Sequence, residues 1–208
     1  MTRNELLETA IIHFGERGFD GASTRAIASD ADTAMSSITY HFGGKEGLYL
    51  ACADYIAEKV HDRLAPMFAT LSVDESDPAE AVDAVCFLLR GFARMMTSNE
   101  TAPWARFVTN EQQNPTEAFE RLAIGAMDLV MEKVADLVGI ARPDLDDTDR
   151  RATAITIWGQ AVFLRLNRAS IVRMLGVQEM NAAATDLMVE QVVINARRIL
   201  TNSLEKNS

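Results

Sequence analysis

Leu6, Leu7, Ala10, Ile11 and Phe14 follow one another at spacings of one, three and four residues, the stripe of an amphipathic helix and not of a strand. A second such stripe runs through Leu48, Cys52, Tyr55, Ile56, Val60 and Leu64. No segment alternates apolar and polar residues, and no internal repeat or low-complexity tract interrupts the pattern. A chain that offers only helical stripes must bury them against other helices, so the expected fold class is all-α.

The breakers set the expected organisation. A first helix covers about residues 4–17, followed by a glycine-rich breaker zone from Gly15 to Gly21 around Phe19. Ser23-Thr24 offers an N-cap for a short helix, Arg25 to Ala31. Asp32-Thr33 interrupts it, and a third short helix runs from about Ala34 to Phe42. A longer helix starts near Lys45, and Pro66 is expected to bend or end it. The acidic stretch LSVDESDP (71–78) reads as a linker. Helices are expected at about 78–97, 102–113 and 116–138, then a loop, GIARPDLDD (139–147), then helices at about 148–175 and 179–202.

Composition narrows the function classes. Of 208 residues, 48% are apolar and 24% charged, ordinary values for a globular chain with a buried core. No apolar run approaches the ~18 residues of a membrane span, and the N-terminal residues lack a signal peptide's apolar core. Cys52 and Cys86 stand alone, as expected of buried thiols in a reducing cytoplasm. The net charge of −10 opposes indiscriminate nucleic-acid binding but leaves room for a local DNA-binding face.

Three short helices within the first 48 residues, the last two separated by a tight turn, form a helix-turn-helix arrangement, whose second helix enters the major groove. The segment MSSITYHF (35–42) suits that role. Its small hydroxylated residues allow close approach to base edges, and Tyr40 and His41 can reach phosphate oxygens. Ile27, Ile38 and Phe42 are core. The head carries four basic and seven acidic side chains, a net of −3. Binding must therefore rest on neutral donors, backbone N–H groups and two heads acting together, with a modest salt dependence.

FGERGFDGASTRAIASDADTAMSSITYHFGGKEGLY resembles the DNA-binding segment of the TetR family of bacterial transcription regulators, at Phe14, Gly18, Phe19, Thr24, Ile27, Ala28, Ala31, Tyr40, Phe42, Lys45, Glu46 and Leu48. The resemblance implies that Thr24 caps the second helix and contacts a phosphate. It implies that Arg25 lies beside the DNA backbone and that Met35, Ser36 and Ser37 face the groove. Tyr40 and His41 would touch phosphate or base methyls, and Lys45 a phosphate. The chain departs from the family in carrying Asp32 where the turn usually has Gly, Thr33 and Ala34 where an apolar residue and Ser or Thr are common, and Gly44 where a capping side chain is common.

Residues 49–208 are expected to form a helical ligand-binding and dimerisation domain. Apolar belts wider than one face needs, with Ile155, Gly159, Val162 and Leu166 in one helix and Val192 in another, point to a homodimer interface. A two-fold dimer pairs with a palindromic operator. In the middle helices, Phe92, Met96, Trp104, Phe107 and Glu111 are the expected pocket residues for a small organic effector. Aromatic rings and adaptable methionines there are interleaved with polar groups such as Arg90, Arg94, Arg106 and Asn110. PWARFVTNEQQNPTEAF (103–119) is also similar to the effector domain of a TetR subgroup labelled CerR-like, some members of which repress export-pump genes.

Catalysis finds no support. Glu58 and His61 make a single Glu-x-x-His pair, whereas a di-iron bundle needs a second copy. No nucleophile–base arrangement or phosphate loop occurs, and neither metal nor cofactor is expected. The sequence reading is thus a cytoplasmic, DNA-binding repressor released from a palindromic operator by an effector, with no membrane contact. The alternative is a helical ligand-binding or adaptor protein whose head has lost DNA.

Overall fold

The structure, a computed structural model, describes residues 2–202. Those residues are helical almost throughout, with no strand among them, as the periodicity requires. The chain divides into two compact units, each built from two stretches of sequence.

The first unit joins the residues up to Arg63 with Glu100–Asp128. Helix α1 (Arg3–Gly21) opens with a capping box: Glu5 N–H donates to the Thr2 hydroxyl (3.2 Å) and Thr2 N–H to the Glu5 carboxylate (2.6 Å). The expected breaker zone contracts to one residue. Gly18 alone leaves helical geometry (φ 68°, ψ 177°), a left-handed φ that favours glycine, and the helix resumes to Gly21.

Helix α2 (Thr24–Asp30) is capped by Ser23, whose hydroxyl accepts the Ala26 N–H. Thr24 is the first helical residue, which corrects its expected role as the cap. Helix α3 (Met35–Phe42) ends at Gly43 (φ 76°) and begins at Ala34 without a side-chain cap. Helix α4 (Lys45–Ala69) includes Pro66 and is not ended by it.

Helix α6 (Ala102–Gln113) and helix α7 (Glu117–Leu122) complete this unit. Its core gathers Leu6, Leu7, Ile11 and Phe14 of α1, Ile27, Ile38, Leu48 and Ile56, with Phe107 of α6 and Leu122 of α7. Burying a ring such as Phe14 or Phe107 stabilises by roughly 2–3 kcal/mol. Gly15 makes the α1–α6 approach possible, since a Cβ there would stand 3.1 Å from the Pro103 carbonyl oxygen.

The second unit joins Leu64–Asn99 with the chain from Leu129 onward. Helix α5 (Pro78–Thr97) starts on the Asp77 carboxylate, which accepts the Ala79 N–H at 2.8 Å. It packs against helix α9 (Asp147–Leu166) and helix α11 (Ala182–Thr201). The single helix expected over 148–175 is two, because Asn167 leaves helical geometry before α10 (Arg168–Leu175). The helix expected over 116–138 is α7, a π-helical turn at Ala123–Met127, then α8 (Asp128–Ala141). Arg142 is buried, pairs with Asp144, and donates to the carbonyls of Ile199 and Asn202, satisfying acceptors at the end of α11.

Candidate nucleic-acid interface

The turn between α2 and α3 sets how α3 is presented. Asp32 takes the left-handed conformation (φ 49°) that glycine would adopt without strain. Asp32 N–H donates to the Ser29 carbonyl (3.1 Å) and Thr33 N–H to that of Ala28 (2.9 Å), so the turn closes on its own backbone. The Thr33 hydroxyl donates to Ser37 Oγ at 3.1 Å, tying the turn to the first coil of α3.

Helix α3 buries Ile38 and half-buries Phe42, while Met35, Ser36, Thr39, Tyr40 and His41 are exposed. Tyr40 is 86% exposed and meets His41 edge-on at 4.9 Å. Ser37 is half-buried, but its own hydroxyl proton remains available after it accepts from Thr33. Thr39, three residues from Ser36, shares the outward face; helical spacing alone would have added it to the expected set. At the next helix start, the Lys45 ammonium lies 4.8 Å from the centre of the Phe19 ring and donates to the Asp20 carbonyl at 3.2 Å. Arg25 is exposed and Thr24 half-buried on α2.

Exposed hydroxyls, the Tyr40 phenol and an ammonium are groups able to donate hydrogen bonds to phosphates and base edges. His13 braces the arrangement from inside. Its Nε2 lies 2.8 Å from an Asp30 carboxylate oxygen, joining α1 to the end of α2.

The N-terminal part of the chain, residues 6–52, matches the family described as bacterial regulatory proteins, tetR family. Residues 85–202, more than half of the chain, match the C-terminal domain of the HTH-type transcriptional dual regulator CecR. The chain belongs to the TetR family. The C-terminal match is thus to CecR, which replaces the CerR-like subgroup expected from residues 103–119.

Along nearly its whole length, this TetR-family chain is 27% identical to the HTH-type transcriptional dual regulator CecR of Shigella flexneri, over 206 residues, 95% of this chain and 91% of that one. In fold it is similar to a TetR-like transcriptional regulator from Rhodococcus sp. RHA1 (TM-score 0.69, 21% identity, 96% of each chain). It is likewise similar to AibR in complex with isovaleryl coenzyme A and operator DNA (TM-score 0.69, 14% identity, 95% of this chain and 97% of that one). The protein is a DNA-binding transcription regulator, and its relatives are regulators of transcription.

The expected effector residues of this TetR-family protein part company. Phe92 and Met96 belong to the second unit, where the Phe92 ring stacks on Trp158 at 4.3 Å and Met96 is half-buried. Trp104, Phe107 and Glu111 belong to the first. Phe107 is fully buried between Phe14 and Tyr49, so it is core and not a cavity wall, a correction to its expected role. Trp104, with the Arg63 guanidinium 5.0 Å from its ring, lines a shallow cleft of about 360 Å³ with Glu8, Tyr55 and Lys59.

Glu111 lines a larger cavity of about 620 Å³ formed by residues of α1, α4, α6 and α7. Its carboxylate accepts from the Tyr49 hydroxyl (2.5 Å) and from the N–H (3.1 Å) and hydroxyl (2.8 Å) of Thr116. Burial, then the Glu111 carboxylate, push Tyr49 well above the usual phenol range. The arginines expected to orient a ligand are engaged elsewhere: Arg90 with Glu190, Arg94 with Asp186 and Arg106 with Glu16. Glu58 and His61 are both exposed.

The expected dimer residues also divide. Ile155 is 61% exposed, Leu166 and Gly159 are exposed, and Val162 is half-buried. Val192 is 5% exposed, held inside the second unit by the packing of α11 on α5, which removes it from any outer surface. With Ile155 and Leu166, the apolar residues Phe163 on α9 and Leu187, Ile194 and Ile199 on α11 also face outward. Among the described residues no helix is long and apolar enough to cross a membrane.

Proposed function

We propose that the chain acts as a homodimeric repressor that leaves a palindromic operator when a small organic effector binds. Thr24, Arg25, Met35, Ser36, Ser37, Tyr40, His41 and Lys45 would make the operator contacts, with residues 1–48 as the reading head and 49–208 as the sensing and pairing part. The observation that carries this reading is the outward face of α3: uncharged, hydroxylated, and bounded by the exposed Tyr40 and by Lys45. Exposed apolar residues on α9 and α11 support pairing of two copies through those helices. AibR, similar in fold, has been captured with isovaleryl coenzyme A and operator DNA, which supports an organic effector here. A regulator of transcription works beside the chromosome, so we place it in the cytoplasm.

In the mechanism proposed, effector and operator weaken each other equally, as linkage demands. The acid-rich head makes two-headed binding a requirement, because one head alone neutralises few phosphates. The name of the Shigella flexneri relative, a dual regulator, favours a second reading in which the same DNA contact activates some genes.

The deciding experiment is fluorescence anisotropy of the purified protein against duplexes tiled across the DNA flanking its own gene, at two salt concentrations. Saturable binding to one palindromic tile that survives the higher salt supports the regulator reading. If genome-wide binding selection also returns no preferred site, the head has lost DNA and the adaptor reading replaces it.

A further inference from the structure

We infer that the 620 Å³ cavity of the first unit is an organic-cation site coupled to Lys45, an inference that rests on the regulator reading for its consequence but not for its binding. Four carboxylate residues line it, Asp20, Glu46, Glu111 and Glu117, against the guanidinium of Arg17, and Glu117 is also paired with Arg121 at 2.8 Å, which still leaves acid in excess. An anionic or carboxylated ligand would meet net repulsion there, and a cation net attraction. Glu111 gives that preference a fixed point. It is 2% exposed and already holds three hydrogen bonds, so its position is set before a ligand arrives.

The walls also supply π-faces. Phe19 and Tyr49 line the same cavity and stand edge-to-face at 5.0 Å. The structure shows how this wall handles a cation, because one is already seated on it: the Lys45 ammonium, 4.8 Å from the Phe19 ring centre and bonded to the Asp20 carbonyl. Carboxylates, aromatic rings and a partly open cavity of this size together fit a monocation bearing one or two fused rings.

Phe19 and Asp20 thus face both ways. A cation in the cavity competes with Lys45 for the Phe19 ring and for the acceptors at the end of α1, whereas DNA would draw the same ammonium to a phosphate. Gly18, next in the chain to Phe19, is the one residue inside α1 that leaves helical geometry. Signal and response would then be about one side chain apart inside the first unit, without a change in head spacing.

The test uses three probes of one shape: (naphthylmethyl)trimethylammonium, its neutral analogue with carbon in place of nitrogen, and naphthylacetate. Calorimetry on the full-length protein should give one saturable site per chain for the cation, with the neutral and anionic probes weaker by about tenfold or more. The Glu46→Gln/Glu117→Gln protein, altered at two exposed positions, should keep its melting temperature and lose about tenfold in cation affinity. Equal binding of charged and neutral probes, or an unchanged affinity in that variant, overturns the site. With a duplex bound, Lys45 is drawn off the Phe19 ring, so wild type should take the cation more tightly, whereas Lys45→Ala should show no such difference; weaker binding in wild type, or an equal effect in both, overturns the coupling. A protein that binds the cation but no DNA would uphold the site and sink the regulator reading, so the two failures are distinguishable.

Discussion

Gly47 approaches the carbonyl of Phe42 so closely that a Cβ at Gly47 would lie 1.8 Å from that oxygen. No side chain fits there without moving backbone, so this contact fixes how α3 meets α4. Gly47→Ala should destabilise the protein by roughly 1–3 kcal/mol, the usual cost of overpacking, and abolish DNA binding. Urea unfolding followed by anisotropy with a duplex checks both; an unchanged midpoint would show that the corner can open at little cost.

Tyr40 and Lys45 should separate binding from folding. Tyr40 is 86% exposed and meets His41 edge-on, so Tyr40→Ala should leave stability within about 0.5 kcal/mol. Lys45→Ala removes one cation and should lower the slope of log affinity against log salt by about 1 per head. Both variants should retain the wild-type circular dichroism spectrum while losing operator affinity. A salt slope unaltered in Lys45→Ala would take that side chain off the phosphate backbone.

Alkaline pH should act through two buried tyrosines. Burial, and after it the hydrogen bond to Glu8, push the Tyr55 hydroxyl from an ordinary value of 10.0 up to about 12. A folded-state value above the unfolded one means the native protein favours the protonated phenol. Its contribution is therefore complete below about pH 10 and is lost as pH rises from about 10 to 12. Tyr49 is raised in the same direction. The melting temperature should fall over that window, and Tyr55→Phe should fall less steeply; parallel curves would deny Tyr55 the role.

Neither thiol should react in the native state. Cys52 and Cys86 are buried, and burial raises the pKa of both thiols. Ellman's reagent should detect no thiol before unfolding and two afterwards. Rapid modification of the folded protein would reveal opening of the α1–α4 or α5–α11 packing.

Gly159 offers a clean probe of pairing. A Cβ at Gly159 would meet nothing within 4 Å in the single chain, so Gly159→Gln should not harm a monomer and should gain slightly from glutamine's better helix propensity. Where a partner helix packs closely, the same change should split the dimer, as should Ile155→Asp. Light scattering gives the answer as a halved mass; an intact dimer in both variants moves the interface away from this face of α9.

Much of this fold is legible because its periodicity is local. The stripes of α1 and α4, and the bounds of α5 and α6, follow from side chains three and four apart. The reading fails where tertiary context outweighs the local signal. Pro66 sits in α4 without ending it, and Asn167 divides a stretch whose apolar pattern continues past it. In the site, the exposed face of α3 could be read from residue type and spacing. Phe107 could not, because an aromatic on a polar helix looks the same whether it lines a cavity or plugs a core; only the rings of Phe14 and Tyr49 around it decide. Val192 failed for the same reason, since a helix apolar on two sides does not announce which side its own chain covers.

The helices proposed to read DNA share a core with α6, a segment more than fifty residues further along the chain. A head borrowed for a chimaeric regulator as residues 1–48 alone would arrive without Tyr49, Phe107 and the Pro103 backbone that Gly15 was shaped to meet. Exchanging DNA specificity with a relative therefore calls for two inserts, one from each end of that core, or for surface grafts confined to α3.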